Sequence, residues 1–140
     1  MYLVALAMLL FINSRRYILA GVSFIEYIKR FSNFVPFKTI HTYMKAMFDD
    51  SMNIDIPIKN LGGNILPFFP MRIYLHYFIK KINNISAFSI SIIILLFVFE
   101  IIQLVTKRGS FDIDDFILNM LGAIIGFRIW QTKFIKKLVN

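Results

Sequence analysis

No cysteine occurs in the 140 residues, which excludes a disulfide scaffold, thiolate metal ligation and a cysteine nucleophile. Charge is also scarce. Charged residues make up 17% and hydrophobic residues 58%, against about 25% charged in an ordinary soluble domain. That balance excludes a disordered chain and argues against a cytosolic globular enzyme. Acidic residues are the rarer sign, eight against sixteen Lys and Arg, for a net charge of +8. The basic residues form no stripe; they lie between apolar runs, where such residues set topology and meet anionic headgroups, so no nucleic-acid partner is expected. The chain contains no HExxH, no Gly-rich phosphate loop and no Ser/His/Asp arrangement, and His41 and His76 lack ligand-like neighbours. Neither a metal nor a cofactor is expected.

What the chain does have is long apolar runs, and its length fits one domain over residues 1–140. The clearest run, residues 86–106, carries no charge except Glu100, and as a helix it reaches across a hydrocarbon core of about 30 Å. A second candidate covers residues 60–79 and contains Pro67, Pro70 and Arg72, which predicts a kink. A third covers 115–131 and ends on Trp130 before the basic residues Lys133, Lys136 and Lys137, the order expected at a membrane boundary. The N-terminal run, about residues 1–13, reads as a retained span, since its charges follow the apolar stretch and no A-x-A-like site closes it. Residues 13–59 form a long first connection, and the mixed segment 17–31 reads as an interfacial helix. The expected fold class is therefore all-α, a polytopic transmembrane bundle of about four helices in the lipid bilayer.

With four spans both termini share one side. Glu26, Asp49, Asp50, Asp55, Asp112, Asp114 and Asp115 then fall on the opposite side, and Glu100 approaches that side from within the membrane. The terminal side carries no acid and seven bases, Arg72, Lys80, Lys81, Arg128, Lys133, Lys136 and Lys137, in two short segments. Short loops weigh most in the positive-inside rule, which places both termini in the cytoplasm.

An ionisable residue inside an apolar helix is a functional hypothesis by default. Glu100 and Gln103 share one face of the strongest span. Beyond the connection containing Arg108, the residues Asp112, Asp115, Asn119, Gly122 and Gly126 follow at spacings of three, four, three and four, one stripe on the last helix. Asn60 and Asn64, four apart, share a face of the second span. Each feature also has a plain structural reading. Asp112 and Asp115 have the spacing of helix caps, the two glycines form a packing seam, and Gln103 and Asn119 suit interhelical hydrogen bonds. Three acids in four residues are commonly a solvated turn, and Glu100 with Arg108 suits a structural ion pair as well as a ligand contact.

The ordered set NFVPFKTI (Asn33, Pro36, Phe37), NLGGNILPFFP (Asn60, Gly63, Asn64, Phe68, Pro70), EIIQ (Glu100, Gln103) and RGSFDIDDFILNMLGAIIG (Arg108, Asp112, Asp115, Asn119, Gly122, Gly126) resembles the VanZ-like family over about residues 15–126. Arg72 departs from the pattern, where the family usually has Gly. The resemblance implies a small bacterial integral membrane protein of the cytoplasmic membrane, whose namesake is associated with resistance to the glycopeptide teicoplanin. It implies no known reaction. It adds Asn33 to the candidate ligand-binding residues Arg108, Asn64, Asn60, Gln103 and Asn119. Two functional readings stay open. One is a factor that binds or modifies a cell-envelope ligand. The other is an enzyme acting on a lipid-linked precursor with Glu100, Asp112 or Asp115 as acid or base.

Overall fold

The structure, a computed structural model, describes residues 6, 8, 23–78, 84–106 and 109–132. The expected first span (apart from Leu6 and Met8), residues 17–22 of the expected interfacial helix, Arg108, Lys80, Lys81 and the basic tail lie outside the described residues. The described secondary structure is helical, as the composition predicts: α1 (Phe24–Phe31), α2 (Lys38–Asp49), α3 (Asp55–Ile65), a 3-10 turn (Leu66–Phe68), α4 (Met71–Phe78), α5 (Ile85–Val105) and α6 (Ile113–Trp130). Among the described residues there is no strand, only a single parallel bridge between Asn33 and Asp112.

Local chemistry fixes several helix starts. Ser23 caps α1, its hydroxyl accepting from the Glu26 N–H at 3.3 Å, with Glu26 at the capping-box position. Asn84 caps α5 by accepting from the Ala87 N–H at 2.6 Å. The helix expected from Asn60 starts earlier, at Asp55, because the Asn53 side chain accepts from the Asp55 N–H at 3.1 Å and Pro57 falls in the first turn, where no N–H is missed. The same segment is broken where Pro67 and Pro70 stand. There the Phe69 N–H bonds to the Leu66 carbonyl at 3.2 Å and the Ile73 N–H to the Pro70 carbonyl at 3.0 Å, three residues back instead of four.

α5 buries Phe88, Ile92, Leu96, Glu100 and Gln103 along one face and exposes Ile90, Ile94, Phe97, Ile101 and Val105 on the rest of its surface. It is the one helix, among the described residues, that is long and apolar enough to cross a membrane. Only 22% of its most apolar stretch is buried within the structure, which distinguishes it from the core helix of a soluble domain. α6 is the hub, packing against α3, the 3-10 turn, α4 and α5. Phe68, Met71, Phe88, Ile92, Leu96, Ala123 and Phe127 form the core, joined by Leu6 from the N-terminal run. The rings of Phe88 and Phe127 meet at 4.7 Å, and the guanidinium of Arg72 lies 4.2 Å from the Phe127 ring centre, a cation–π contact. The residue that departs from the family pattern is thus accommodated over an aromatic ring of the central helix.

Gly122 and Gly126 permit that hub. A Cβ built on Gly122 would overlap the Ile65 carbonyl, and one on Gly126 the Phe69 carbonyl. The usual helical partners of these two carbonyls, the N–H groups of Phe69 and Ile73, bond elsewhere. The proline break therefore turns carbonyls four residues apart toward glycines four residues apart, a spacing that lets the two backbones touch.

Candidate functional site

The three aspartates at the start of α6 have three different surroundings. Asp112 caps its own helix, its Oδ1 accepting from the Asp114 N–H at 2.9 Å. That oxygen also accepts from the Asn33 amide at 3.0 Å, while Oδ2 accepts from the Thr39 hydroxyl at 2.7 Å. Backbone bonds run alongside: the Asn33 N–H donates to the Phe111 carbonyl at 2.7 Å and the Ile113 N–H to the Asn33 carbonyl at 3.0 Å. Asn33 thus ties the segment after α1 to the N-terminus of α6.

Asp114 is wholly buried, at 0% exposure. Its Oδ1 accepts from the Phe37 N–H at 2.5 Å, and its Oδ2 from the N–H groups of Thr39 at 2.6 Å and Ile40 at 3.0 Å. These are the unsatisfied donors at the start of α2, which has no side-chain cap of its own. A carboxylate from another helix therefore caps α2 and meets the positive end of its dipole. Phe37, the cap position, has a left-handed backbone (φ 65°), a conformation that costs a bulky residue about 1–3 kcal/mol and that the Asp114 bond holds in place. The solvated turn expected from three clustered acids is not what forms here; Asp114 is a buried structural anchor.

Asp115 points the other way, its Oδ1 accepting from the Asn64 amide at 2.5 Å, which joins α6 to α3. Glu100 of α5 is buried, and Asp115 and Asp112 both lie within electrostatic reach of it. Its Oε2 has no hydrogen-bond partner among the described residues, and neither has the Asn119 Oδ1, one turn beyond Asp115 on α6. Gln103 is buried three residues after Glu100, against Gly109 of the connection to α6. Tyr27 of α1 closes this end, its hydroxyl donating to the Gly109 carbonyl at 2.6 Å.

Of the residues singled out in the sequence, Glu100, Gln103, Asp112, Asp115, Asn119, Asn64 and Asn33 are brought to one end of the α3–α5–α6 assembly. Asn60 is not: its amide donates to the Ile56 carbonyl of its own helix at 2.8 Å. The amides of Asn33 and Asn64 are engaged with Asp112 and Asp115, so they orient the acids. Arg108 lies outside the described residues. Thr39 and Tyr27 escaped sequence reasoning. For Tyr27 a signal existed, an aromatic hydroxyl in the mixed segment; for Thr39 none did. Among the described residues no group of His, Asp and Glu has a metal-holding arrangement, and the ion pairs found there, Arg30 with Glu26, Lys45 with Asp49 and Lys59 with Asp55, join exposed neighbours one turn apart on helix surfaces.

An outward-facing apolar helix long enough to span a bilayer, with buried acids and amides gathered at one end, fits a membrane-associated helical protein. The VanZ/LLP1 family model matches residues 1–136, and the chain belongs to that family. Over 72 residues it is 29% identical to Protein VanZ of Enterococcus faecium, a match covering 51% of this chain and 44% of that protein. The chain thus spans less than half the length of this curated relative. No solved structure matches.

Proposed function

We propose that this chain is a multi-pass protein of the bacterial cytoplasmic membrane, with about four spans, both termini in the cytoplasm and the acid cluster at the exterior boundary. There it binds or modifies a cell-envelope component, and in doing so protects against glycopeptides of the teicoplanin type. The observation that carries the reading is Glu100: a carboxyl group inside the apolar helix, buried, with one oxygen unpartnered among the described residues and two further acids, Asp115 and Asp112, within electrostatic reach. Such a group is expensive in a membrane and is retained where a ligand or a proton uses it. In this reading Glu100 and Asn119 accept hydrogen bonds that the ligand brings. Arg108, next to the cluster in sequence, contributes a planar cation for an anionic or amide-bearing group. Membership of the family supports the link to glycopeptides, and the seven bases of the two short segments support the orientation. Reporter fusions at Asn84 and Asn140 should read cytoplasmic and one at Ser51 exterior; the reverse pattern removes the orientation.

The acids of α5 and α6 within electrostatic reach of one another favour a second reading, an enzyme that uses Glu100 or Asp115 as acid or base on a lipid-linked precursor. Mass spectrometry of lipid extracts from cells with and without the chain separates the two. An unchanged lipid profile with a changed teicoplanin susceptibility supports binding, and a new or depleted lipid-linked species supports catalysis. If neither lipids nor susceptibility change, both readings are wrong for this chain.

A further inference from the structure

We infer that the turn Phe34-Val35-Pro36-Phe37 is a rigid apolar tip inserted into the headgroup and acyl-chain boundary of the same bilayer that α5 crosses, an inference that rests on the membrane reading above. All four residues are exposed, Phe34 by 61%, Val35 by 58% and Phe37 by 62%. Four consecutive exposed apolar residues are a liability in water unless they have a partner.

The turn is not loose. The Val35 N–H donates to the Asn33 side chain at 3.2 Å, and Phe37 is held in its left-handed conformation by the buried Asp114. Phe34 also stacks on Phe111, ring centres 5.1 Å apart and 25° from parallel. The backbone conformation is one that a glycine adopts without strain, yet a phenylalanine occupies it. The fold therefore holds an aromatic side chain outward at a fixed place.

That place is set by bonds to the connection between α5 and α6 and to the first residue of α6. With 21 residues, α5 is about 31 Å long and nearly fills the hydrocarbon thickness, so its last turn marks a boundary of the bilayer. The connection doubles back there, since Gly109 lies against Gln103. Tyr27 is bonded to Gly109, and Asn33 to Phe111 and Ile113. The turn at residues 34–37 is thereby pinned at the depth where α5 leaves the membrane. The exposed cations Lys29, Arg30 and Lys38 flank it in sequence, the pairing of aromatic and basic residues suited to an interface with anionic headgroups. The exposed cations beside exposed aromatic rings, at the end of a helix long enough to span a bilayer, select lipid over a protein partner.

The test uses the full chain in lipid nanodiscs of mixed neutral and anionic lipid, with Phe37→Trp in a Trp130→Phe background. Two companion variants in the same background are Phe34→Trp and, as a control on the span, Phe97→Trp. The expected result is a blue-shifted emission for residues 37 and 34 that is mostly lost when the lipids are brominated near the headgroup end of the chain, and little affected by aqueous acrylamide. Red-shifted emission quenched by acrylamide overturns the inference by placing the turn in water. Blue-shifted emission indifferent to brominated lipid overturns it by showing a protein cover. If Phe97→Trp, near mid-span, escapes quenching by lipids brominated near the methyl end of the chain, the membrane reading itself has failed; if Phe97→Trp is quenched by those lipids and the turn variants escape the headgroup-end bromines, only the inserted tip has failed.

Discussion

Asp112, Asp114 and Asp115 are adjacent in sequence and separate in role, and their burial and partners account for the difference. Asp112 and Asp115 lie on the stripe that helical spacing predicts, and the structure turns both toward side chains of other segments, Asn33 and Thr39 for one and Asn64 for the other. Asp114 was illegible because its partners are backbone N–H groups about 75 positions away, which no spacing rule reveals. Asn60 misled for the opposite reason: it shares a helix face with Asn64, but its amide turns back to its own helix carbonyl and so satisfies itself locally. Asp114→Ala leaves the three part-buried N–H donors of Phe37, Thr39 and Ile40 without their acceptor, each a cost of up to about 1 kcal/mol where water can reach it and more where it cannot. It should lower the thermal stability of the detergent-solubilised protein sharply, with Asp114→Asn milder because one acceptor oxygen remains. A melting temperature unchanged by Asp114→Ala would show that α2 does not depend on this cap.

Between elements, the glycine seam is where sequence pattern and structure meet most closely. Gly122 and Gly126 were legible as a packing seam from their four-residue spacing, but their partner was not. It is a pair of backbone carbonyls presented by a helix break, and the break itself was legible in Pro67 and Pro70. Gly63 behaves differently, for a Cβ there meets nothing within 4 Å. Gly122→Ala and Gly126→Ala should each force α6 away from the segment at residues 65–69, at a cost of roughly 1–3 kcal/mol, visible as loss of the protein from the membrane fraction. Gly63→Ala should instead stabilise α3 by about 1 kcal/mol. Equal abundance of all three variants would mean that the α3–α6 contact is looser than the geometry requires. A stable Gly63→Ala variant that loses function would mark Gly63 as a position where a ligand approaches the backbone.

For the molecule as a whole, the apolar runs were enough to predict an all-helical chain with a long apolar helix at residues 86–106, found at Ile85–Val105. Scarcity of charge makes that inference robust, because a helix that exposes Ile90, Ile94 and Phe97 has few environments other than lipid. The arrangement around it was less legible: which helix is the hub, and that the segment after α1 is laced to the start of α6, depend on long-range backbone bonds through Asn33 and Asp114. The central claim is that the acids gathered at the end of α5, together with Arg108 next to them in sequence, serve a ligand and not the fold. Asp115→Asn preserves an acceptor for Asn64, and Glu100→Gln replaces a carboxyl whose Oε2 has no hydrogen-bond partner among the described residues, so neither should cost abundance. Arg108→Ala and Arg108→Lys both remove a planar, bidentate donor that no other side chain replaces. The decisive measurement is teicoplanin susceptibility of cells expressing each variant, read beside an immunoblot of their membrane fraction. The account predicts protection abolished by all four substitutions at undiminished abundance. Protection that falls only in proportion to abundance, or that survives all four, would contradict it.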